Sequence, residues 1–446
     1  MKNRYVVIGG IAAGMSAASR IKKIDKSAEV VVFEKGEFIS YGACSMPYYI
    51  ANPQGDYKDL IVLSVEDAIN KRGIDVRTNH LVLGISVNEK RVFYKELTSG
   101  KGKSIDYDRL VIATGASPIK PPIAGVDNDN VFSLRTLNDG IAIKKFIEEK
   151  KPKKAVIVGA GYIGLEMAES LTSLGIQVVI IEMLEKPMPL YNESIVETIL
   201  KTLEENGVKT YFSSKVERIE GNKVYSTAGE FDADMVLLAT GVKPNVSLAK
   251  DAGIELGARG AIAVDSKMET SVSGIYAAGD CAESINRITN RKIYVPLGTV
   301  ANKHGRIAGL NAARELARFP GAIMSAEFKL FDKEVARCGL TLKEAIDDGF
   351  DPVEIVITAS SAAHGVKERY PIQVAMIGDR KSGKLLGCQM IGKKGVAHRI
   401  NIVATAIFNG NTAKEFSMFD LAYAPPFSPV WDPVLIAANV LKGKLK

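Results

Sequence analysis

The chain has 446 residues, 46% of them hydrophobic and 24% charged, with a formal net charge of +7. That length suits two or three domains, and that composition excludes collagen-like, low-complexity and disordered classes. Four widely spaced cysteines give neither a disulfide framework nor a zinc pattern, and no apolar run reaches the roughly 18 residues of a membrane span.

Met1 to Arg4 leads straight into a strand, without a signal-peptide pattern. Unpaired thiols fit a cytoplasmic, reducing setting. Basic residues are dispersed apart from Lys150–Lys154 and the Lys442–Lys446 tail. Such runs read as solvated surface, so neither nucleic acid nor membrane is an expected partner, while modest positive charge suits anionic cofactors.

Tyr5 to Ile8 reads as a strand. Gly9-Gly10-Ile11-Ala12-Ala13-Gly14 opens an alanine-rich helix through Arg20, and Val30 to Glu34 forms a second strand, with Lys35 next. Strand, glycine turn, helix, strand and acid is the dinucleotide order. Gly9 allows the tight turn, the helix N-terminus offers N–H groups to a pyrophosphate, and Gly14 lets helix and strand pack closely. Glu34 is placed to accept from a ribose diol. One departure is visible: Ile11 stands where the pattern has its middle glycine, and Gly10 precedes it.

A cysteine loop follows closely, Ile39-Ser40-Tyr41-Gly42-Ala43-Cys44-Ser45-Met46-Pro47-Tyr48-Tyr49. No second cysteine occurs before Cys281, so the loop holds one sulfur. A buried structural cysteine would be inert. Beside a nucleotide fold, a redox role is the expectation. Leu110 to Ala113, then Thr114 and Gly115, closes this first unit.

Ala155 to Val158, then Gly159-Ala160-Gly161-Tyr162-Ile163-Gly164, repeats the signal more cleanly. A helix to Leu174, a stop at Gly175 and a strand from Val178 to Ile181 deliver Glu182. The acid favours a 2′-hydroxyl, hence NADH, and Lys186 four residues on softens that preference towards NADPH. Leu237 to Thr240 and Gly241 close the second unit as Thr114 and Gly115 close the first. Two dinucleotide folds in one chain suggest a hydride passing from a nicotinamide to a flavin.

Gly274 to Gly279 is a third strand-to-glycine turn, and Asp280 there can accept from a ribityl hydroxyl. Pro296-Leu297-Gly298-Thr299 opens a helix to about Leu316, whose positive end suits a reduced flavin ring. From Ala326 the texture changes to strands at Ala326–Phe331, Val353–Thr358, Ile372–Ile377 and Leu385–Ile391. Helices at Leu342–Asp348 and Val396–Asn409, a proline-rich stretch at Tyr423–Pro433 and a last short helix complete an α+β unit of the kind that makes two-fold interfaces. Cys281, Cys338 and Cys388 read as small core residues.

These motifs, Gly9–Glu34, Ser40–Pro47, Gly159–Glu182, Gly274–Glu283 and Tyr423–Pro433, resemble the pyridine nucleotide–disulfide oxidoreductases. More closely they resemble the single-cysteine branch of coenzyme A disulfide reductases, persulfide reductases and NADH oxidases and peroxidases. The resemblance covers the whole chain. It implies an α/β protein with two Rossmann-like dinucleotide-binding domains, for FAD and NAD(P)H, and a C-terminal α+β dimerisation domain. The implied boundaries are 1–120 and 245–323 for FAD, 121–244 for NAD(P)H and 324–446 for dimerisation.

It further implies that Cys44 faces the flavin opposite the nicotinamide and passes electrons to a small thiol, disulfide or persulfide. Two-cysteine relatives carry a second cysteine five residues on, where this chain has Tyr49. Ser40-Tyr41-x-x-Cys44-x-x-Pro47 looks like the coenzyme A disulfide reductase loop, with Ser40 beside the catalytic cysteine and Tyr41 on the substrate. Tyr423, from the second subunit of a homodimer, is the implied donor to the leaving thiolate. A gapless count puts a second family tyrosine near Gly365, which departs from the pattern; Tyr370 is the nearest substitute. Arg20, Lys22 and Lys23 match the region that holds the phosphates of coenzyme A, as substrate or bound ligand.

The oxidase and peroxidase members use a histidine where this chain has Ala12. Some persulfide reductases append a rhodanese domain, so a separate sulfur-transfer protein is an expected partner. The implied activity is an FAD-dependent, NAD(P)H-driven reductase of coenzyme A-type disulfides or persulfides. The alternatives are an NADH oxidase reducing oxygen and a redox-sensing flavoprotein.

Overall fold

The structure is a computed structural model that describes residues 3–445. Valine-rich strands that carry apolar residues on both faces need cover on both faces, which is the signature of a parallel sheet. Two such sheets form. The first runs Ile275–Ala277, Arg109–Ile112, Arg4–Ile8, Glu29–Phe33 and Asp75–Arg77, all parallel. The second runs Lys209–Tyr211, Gln177–Ile181, Lys154–Val158, Met235–Leu238 and Val131–Ser133, also all parallel. In each, the strand before the glycine turn lies at the centre, so the turn opens at the carboxyl edge where strand order reverses. Val6, Val7, Val31 and Val32 in the first sheet, and Val156, Ile157 and Ile180 in the second, are sealed from solvent. Each such side chain contributes ~1.5–3 kcal/mol.

The chain crosses between the two units on an antiparallel ribbon of Ala116–Pro118 with Val242–Pro244. The last unit is an antiparallel sheet ordered Ala326–Leu330, Lys333–Gly339, Leu385–Gly392, Pro371–Asp379 and Pro352–Ser360. The helices Val396–Asn409 and Pro433–Lys444 cover one of its faces. Cys281, Cys338 and Cys388 are buried.

Three expectations change. The helix read from Pro296 to Leu316 spans Gly298–Ala312. Asn311 turns the chain there, accepting from Ala317 N (3.2 Å) and donating to Ala317 O (2.9 Å), and Arg314 takes φ +66°. Leu316 is 91% exposed, so no apolar burial draws the helix on. The first helix runs past Arg20 to Ile24. Lys333–Gly339 is an added interior strand, second in the sheet, hidden in the sequence by Lys333, Glu334 and Arg337.

Candidate active site

Among the described residues seven helices have ten or more residues, and their N-termini fall into two groups. Thr136, Asn192 and Asp432 cap three with their own side chains, and Glu334 accepts from Val396 N (2.6 Å) and Ala397 N (3.0 Å) to cap a fourth. Ala12–Ile24, Tyr162–Ser173 and Gly298–Ala312 have no side-chain cap. Free N–H groups at a helix start form a ready anion site. These are the three helices that the sequence assigns to cofactor.

The two glycine turns are built alike. Gly9 and Gly159 have φ of +105° and +108°, and a Cβ on either would overlap the carbonyl oxygen of Ala113 or Ala239. A Cβ on Gly14 or Gly164 would overlap the carbonyl of Gly9 or Gly159. Glu34 accepts from Gly10 N (2.7 Å) and Gly36 N (2.8 Å); Glu182 accepts from Ala160 N (2.7 Å) and Leu184 N (2.8 Å). Each carboxylate keeps further lone pairs for a ribose. The middle position differs. A Cβ on Gly161 would meet open space, whereas Ile11 starts the first helix and Gly10 fits under Ile39 and Glu34. Gly10 is therefore required by the packing of the cysteine loop. Tyr162 sets its ring edge-on to Phe328 (5.3 Å) and its hydroxyl against Tyr191 (3.3 Å), while Ile163 is half-buried.

The third helix joins the first turn. Gly279 (φ +80°) lies where a Cβ would stand 2.8 Å from Ala13 Cβ, and Gly305 and Gly309 admit the backbone at Ala13 and Ala17. The starts of Ala12–Ile24 and Gly298–Ala312 thus flank the Gly279–Asp280 turn, with Gly298 and Thr299 exposed and Leu297 half-buried. Arg135 donates to Asp280 (2.7 Å) and to Ala116 O (3.0 Å), with Gly115 close by. The Thr114 hydroxyl donates to Asn245 O (2.7 Å), so towards a cofactor it can only accept. Gly241 (φ +91°) turns the chain at the matching point of the second unit. Lys35 is exposed beside Glu34.

The cysteine loop hangs from the first glycine turn. Ser40 N donates to Gly10 O (3.0 Å) and Ser40 O accepts from Val62 N (2.8 Å), with Ser40 held at φ +44°. Gly42 N donates to Leu60 O (2.8 Å), and Tyr41 is half-buried with its hydroxyl on the Leu137 amide. A short helical turn, Ala43–Ser45, then leaves Cys44 exposed. The helix Met46–Ala51 follows. Buried Lys144 donates to its last carbonyls, Tyr49 O (3.3 Å) and Asn52 O, and Ser170 donates to Pro47 O (3.0 Å).

The Cys44 thiol is open to solvent on one side and crowded on the others. That crowding pushes its pKa above the ordinary thiol value, Glu166 and Asp280 push the same way, and Arg135 opposes them. The hydroxyl of Tyr48 donates to Glu166 (3.4 Å). Burial is the main cause that raises Glu166 to about 7 and Tyr48 to about 12. Arg135, Glu166, Tyr48 and Lys144 carried no sequence signal as site residues.

Tyr423 is 49% exposed, in a stretch that also exposes Phe427 (75%) and Trp431 (53%). A buried ion pair, Arg399 Nε to Asp432 (2.9 Å), anchors this stretch, and Arg399 also donates to Phe427 O (3.0 Å). No hydrogen bond among the described residues joins Tyr423 to Cys44. Tyr370 lies under Lys393 (5.0 Å) and lines an open groove of about 770 Å³ with Arg369, His364 and Trp431. On the first helix Arg20 is half-buried and Lys23 exposed, while Lys22 donates to Ala28 O (2.6 Å) and so serves the helix end. No helix among the described residues is long and apolar enough to cross a membrane.

Two parallel sheets with matching glycine turns, and one open thiol slung from the first, define a two-dinucleotide oxidoreductase. Residues 3–293 match the family model of pyridine nucleotide-disulphide oxidoreductases, and residues 325–433 match the dimerisation domain of the same family. The chain belongs to that family. It is 40% identical over 446 residues, 99% of both chains, to the "NAD(P)H coenzyme A polysulfide/persulfide reductase" of Pyrococcus horikoshii. It is 39% identical over 451 residues, again 99% of both, to the "NADH oxidase" of Methanocaldococcus jannaschii. The solved NAD-dependent persulfide reductase from A. fulgidus superposes with a TM-score of 0.95 at 38% identity, over 99% of this chain and 83% of that one. Membership implies FAD and NAD(P)H, and the three uncapped helices, the open space at Gly161 and the free lone pairs of Glu34 and Glu182 fit them.

Proposed function

We propose that this chain is an FAD-dependent reductase that draws on NADH, with NADPH as a second reductant, and reduces a coenzyme A-type disulfide or persulfide at Cys44. The observation that carries the reading is one exposed thiol tied through Ser40 to the first glycine turn, with the other three cysteines buried. A lone thiol has no partner in its loop, so its oxidised form must include an external sulfur or an oxygen.

Residues 1–120 and 245–323 would hold FAD, residues 121–244 NAD(P)H, and residues 324–446 would pair two copies into a homodimer. FAD is held by Gly9, Gly10, Ala12, Ala13, Gly14, Glu34, Lys35, Thr114, Gly115, Gly279, Asp280, Leu297, Gly298 and Thr299. The nicotinamide dinucleotide is held by Gly159, Gly161, Tyr162, Ile163, Gly164, Glu182 and Gly241. When bound, the two cofactors supply a two-electron hydride relay that ends at Cys44.

The Cys44 thiolate attacks the acceptor S–S bond, which breaks as a mixed disulfide or persulfide forms on Cys44. Tyr423 of the partner subunit steadies the departing sulfur by hydrogen bonding, since a phenol of pKa about 10 is a weak acid for a thiolate of about 8.5. One hydride and one proton then free both sulfurs, so that a disulfide yields two thiols and a persulfide yields a thiol and hydrosulfide. Arg20, Lys23, Tyr41 and Tyr370 would contact a coenzyme A-type acceptor, with Lys22 supporting the helix end. A sulfur-transfer protein would deliver persulfide.

Cys44→Ser tests the reading. The variant should keep its flavin spectrum and bleach under anaerobic NADH, but lose turnover with coenzyme A disulfide and persulfide. Retained turnover removes Cys44 from the mechanism. Oxygen uptake matching the thiol-acceptor rate would favour the oxidase reading instead, against which stands Ala12 at the first helix start.

A further inference from the structure

Arg399 stands near the start of the helix Val396–Asn409 and is buried, as is its partner Asp432. Replacing a buried ion pair by apolar side chains of similar volume is often neutral or stabilising, so folding energy alone does not account for this one. A guanidinium differs from an ammonium in presenting a rigid fork of donors. Here Nε donates to the Asp432 carboxylate (2.9 Å), Nη1 to Gly395 O (2.9 Å), and Nη2 to both Ser361 O (3.2 Å) and Phe427 O (3.0 Å). Asp432 in turn accepts from the Ser428 hydroxyl (2.8 Å) and from Val434 N (3.1 Å). Gly395 leaves room for the fork, since at its φ of +86° a Cβ would overlap Nη1.

The two carbonyls on Nη2 belong to different segments, and each segment carries a tyrosine. Ala424 O accepts from Phe427 N (2.9 Å) and Ser428 N (3.1 Å), and Tyr423 is the residue before that turn. Ser361 N donates to Tyr370 O (2.8 Å), and Tyr370 N donates to the Ser361 hydroxyl (3.0 Å). Ala363 N also donates to Pro425 O (3.0 Å), so the two segments lie side by side. We propose that Arg399 is a positioning residue for Tyr423: one guanidinium ties the Tyr423 and Tyr370 segments to the helix Val396–Asn409 and presents both tyrosines to the acceptor as one fixed unit. The proposal rests on reading Tyr423 as the donor to the departing sulfur. An exposed tyrosine on a proline-rich stretch has no regular structure to hold it, and a hydrogen bond to a developing thiolate is worth little unless its donor is already in place.

Steady-state kinetics of the flavin-loaded protein test this. Tyr423→Phe should lower kcat for coenzyme A disulfide by about tenfold or more, the loss of one hydrogen bond to a charged sulfur. Arg399→Lys keeps a charge opposite Asp432 but lacks the fork, and should lower the same kcat by about fivefold or more. KM for NADH and the anaerobic bleaching of the flavin by NADH should stay within about twofold, so that the loss falls on the acceptor half of the reaction. Ser428→Ala, a gentler release of Asp432, should cost about twofold to threefold, and it carries the test if the lysine variant fails to fold. Both losses should vanish in the Tyr423→Phe background, because residues that act through one group are not additive. A nitroaryl disulfide, whose leaving thiolate needs no donor, should be turned over at the wild-type rate by every variant. Val403→Ala, buried one turn on in the same helix, is the control and should lower Tm with kcat unchanged. Losses that add to Tyr423→Phe, that appear equally with the nitroaryl disulfide or that Val403→Ala reproduces overturn the proposal, as does an unchanged kcat in Arg399→Lys or, where that variant does not fold, in Ser428→Ala. A Tyr423→Phe variant with full kcat for coenzyme A disulfide overturns the reading of Tyr423 itself.

Discussion

Glu166→Gln isolates the charge that works against the Cys44 thiolate. Glu166 titrates at about 7, so it is neutral below that pH and charged above it. It faces Tyr48 and Glu169, and Lys329 pairs with Glu169. Cys44 senses Glu166, Asp280 and Arg135. Glutamine imitates the protonated acid, so wild type and variant should coincide below about pH 6 and separate above 7. A charge pair in an open cleft is worth ~0.2–1 kcal/mol, which places the alkylation rate of the variant about 1.4- to 5-fold above wild type at pH 8. The assay is iodoacetamide trapping of Cys44 after anaerobic reduction and desalting, followed by intact mass across pH 5.5–9. Profiles that superimpose over the whole range, or a variant that reacts more slowly at pH 8, would refute the electrostatic argument. A difference that persists at pH 5.5 would show a structural effect of the substitution instead.

Gly9→Ala places a Cβ on the Ala113 carbonyl at φ +105° and should yield little folded, flavin-bearing protein, whereas Gly161→Ala enters open space. The second variant should melt within about 1 °C of wild type yet weaken ADP binding, because a methyl then occupies the approach to the helix start. Arg399→Met leaves Asp432 as an unpaired buried charge and should cost ~3–5 kcal/mol, read as a lower Tm by calorimetry. If the Arg399 anchor sets the dimer face, sedimentation velocity should also show a shift towards monomer, and an unchanged sedimentation coefficient would argue otherwise. Lys144→Met removes the donors at Tyr49 O and Asn52 O and should cost ~1–3 kcal/mol, checked by urea denaturation.

The nucleotide units were legible because their chemistry is local. Gly9, Gly14 and Glu34 stand within one strand-helix-strand unit, and so do Gly159, Gly164 and Glu182. What stayed hidden acts across long separations: Arg135 meets Asp280 from 145 residues away, and Tyr48 meets Glu166 from 118. No spacing rule links such pairs, since only the packing of two units brings them together. Lys333–Gly339 escaped for a related reason. Its Arg337 is buried and donates to Gly339 O (3.2 Å), so a charged residue occupies a buried position on an interior strand. Helix caps connect the two levels. A side chain that caps a helix can be read from the sequence, as at Thr136 with Asp139, but the missing cap at Ile11, Gly161 and Leu297 becomes meaningful only beside helices that have one. An uncapped start in a protein that caps its other long helices leaves N–H groups that need an acceptor, and the three such starts are the ones that follow a glycine turn or face one.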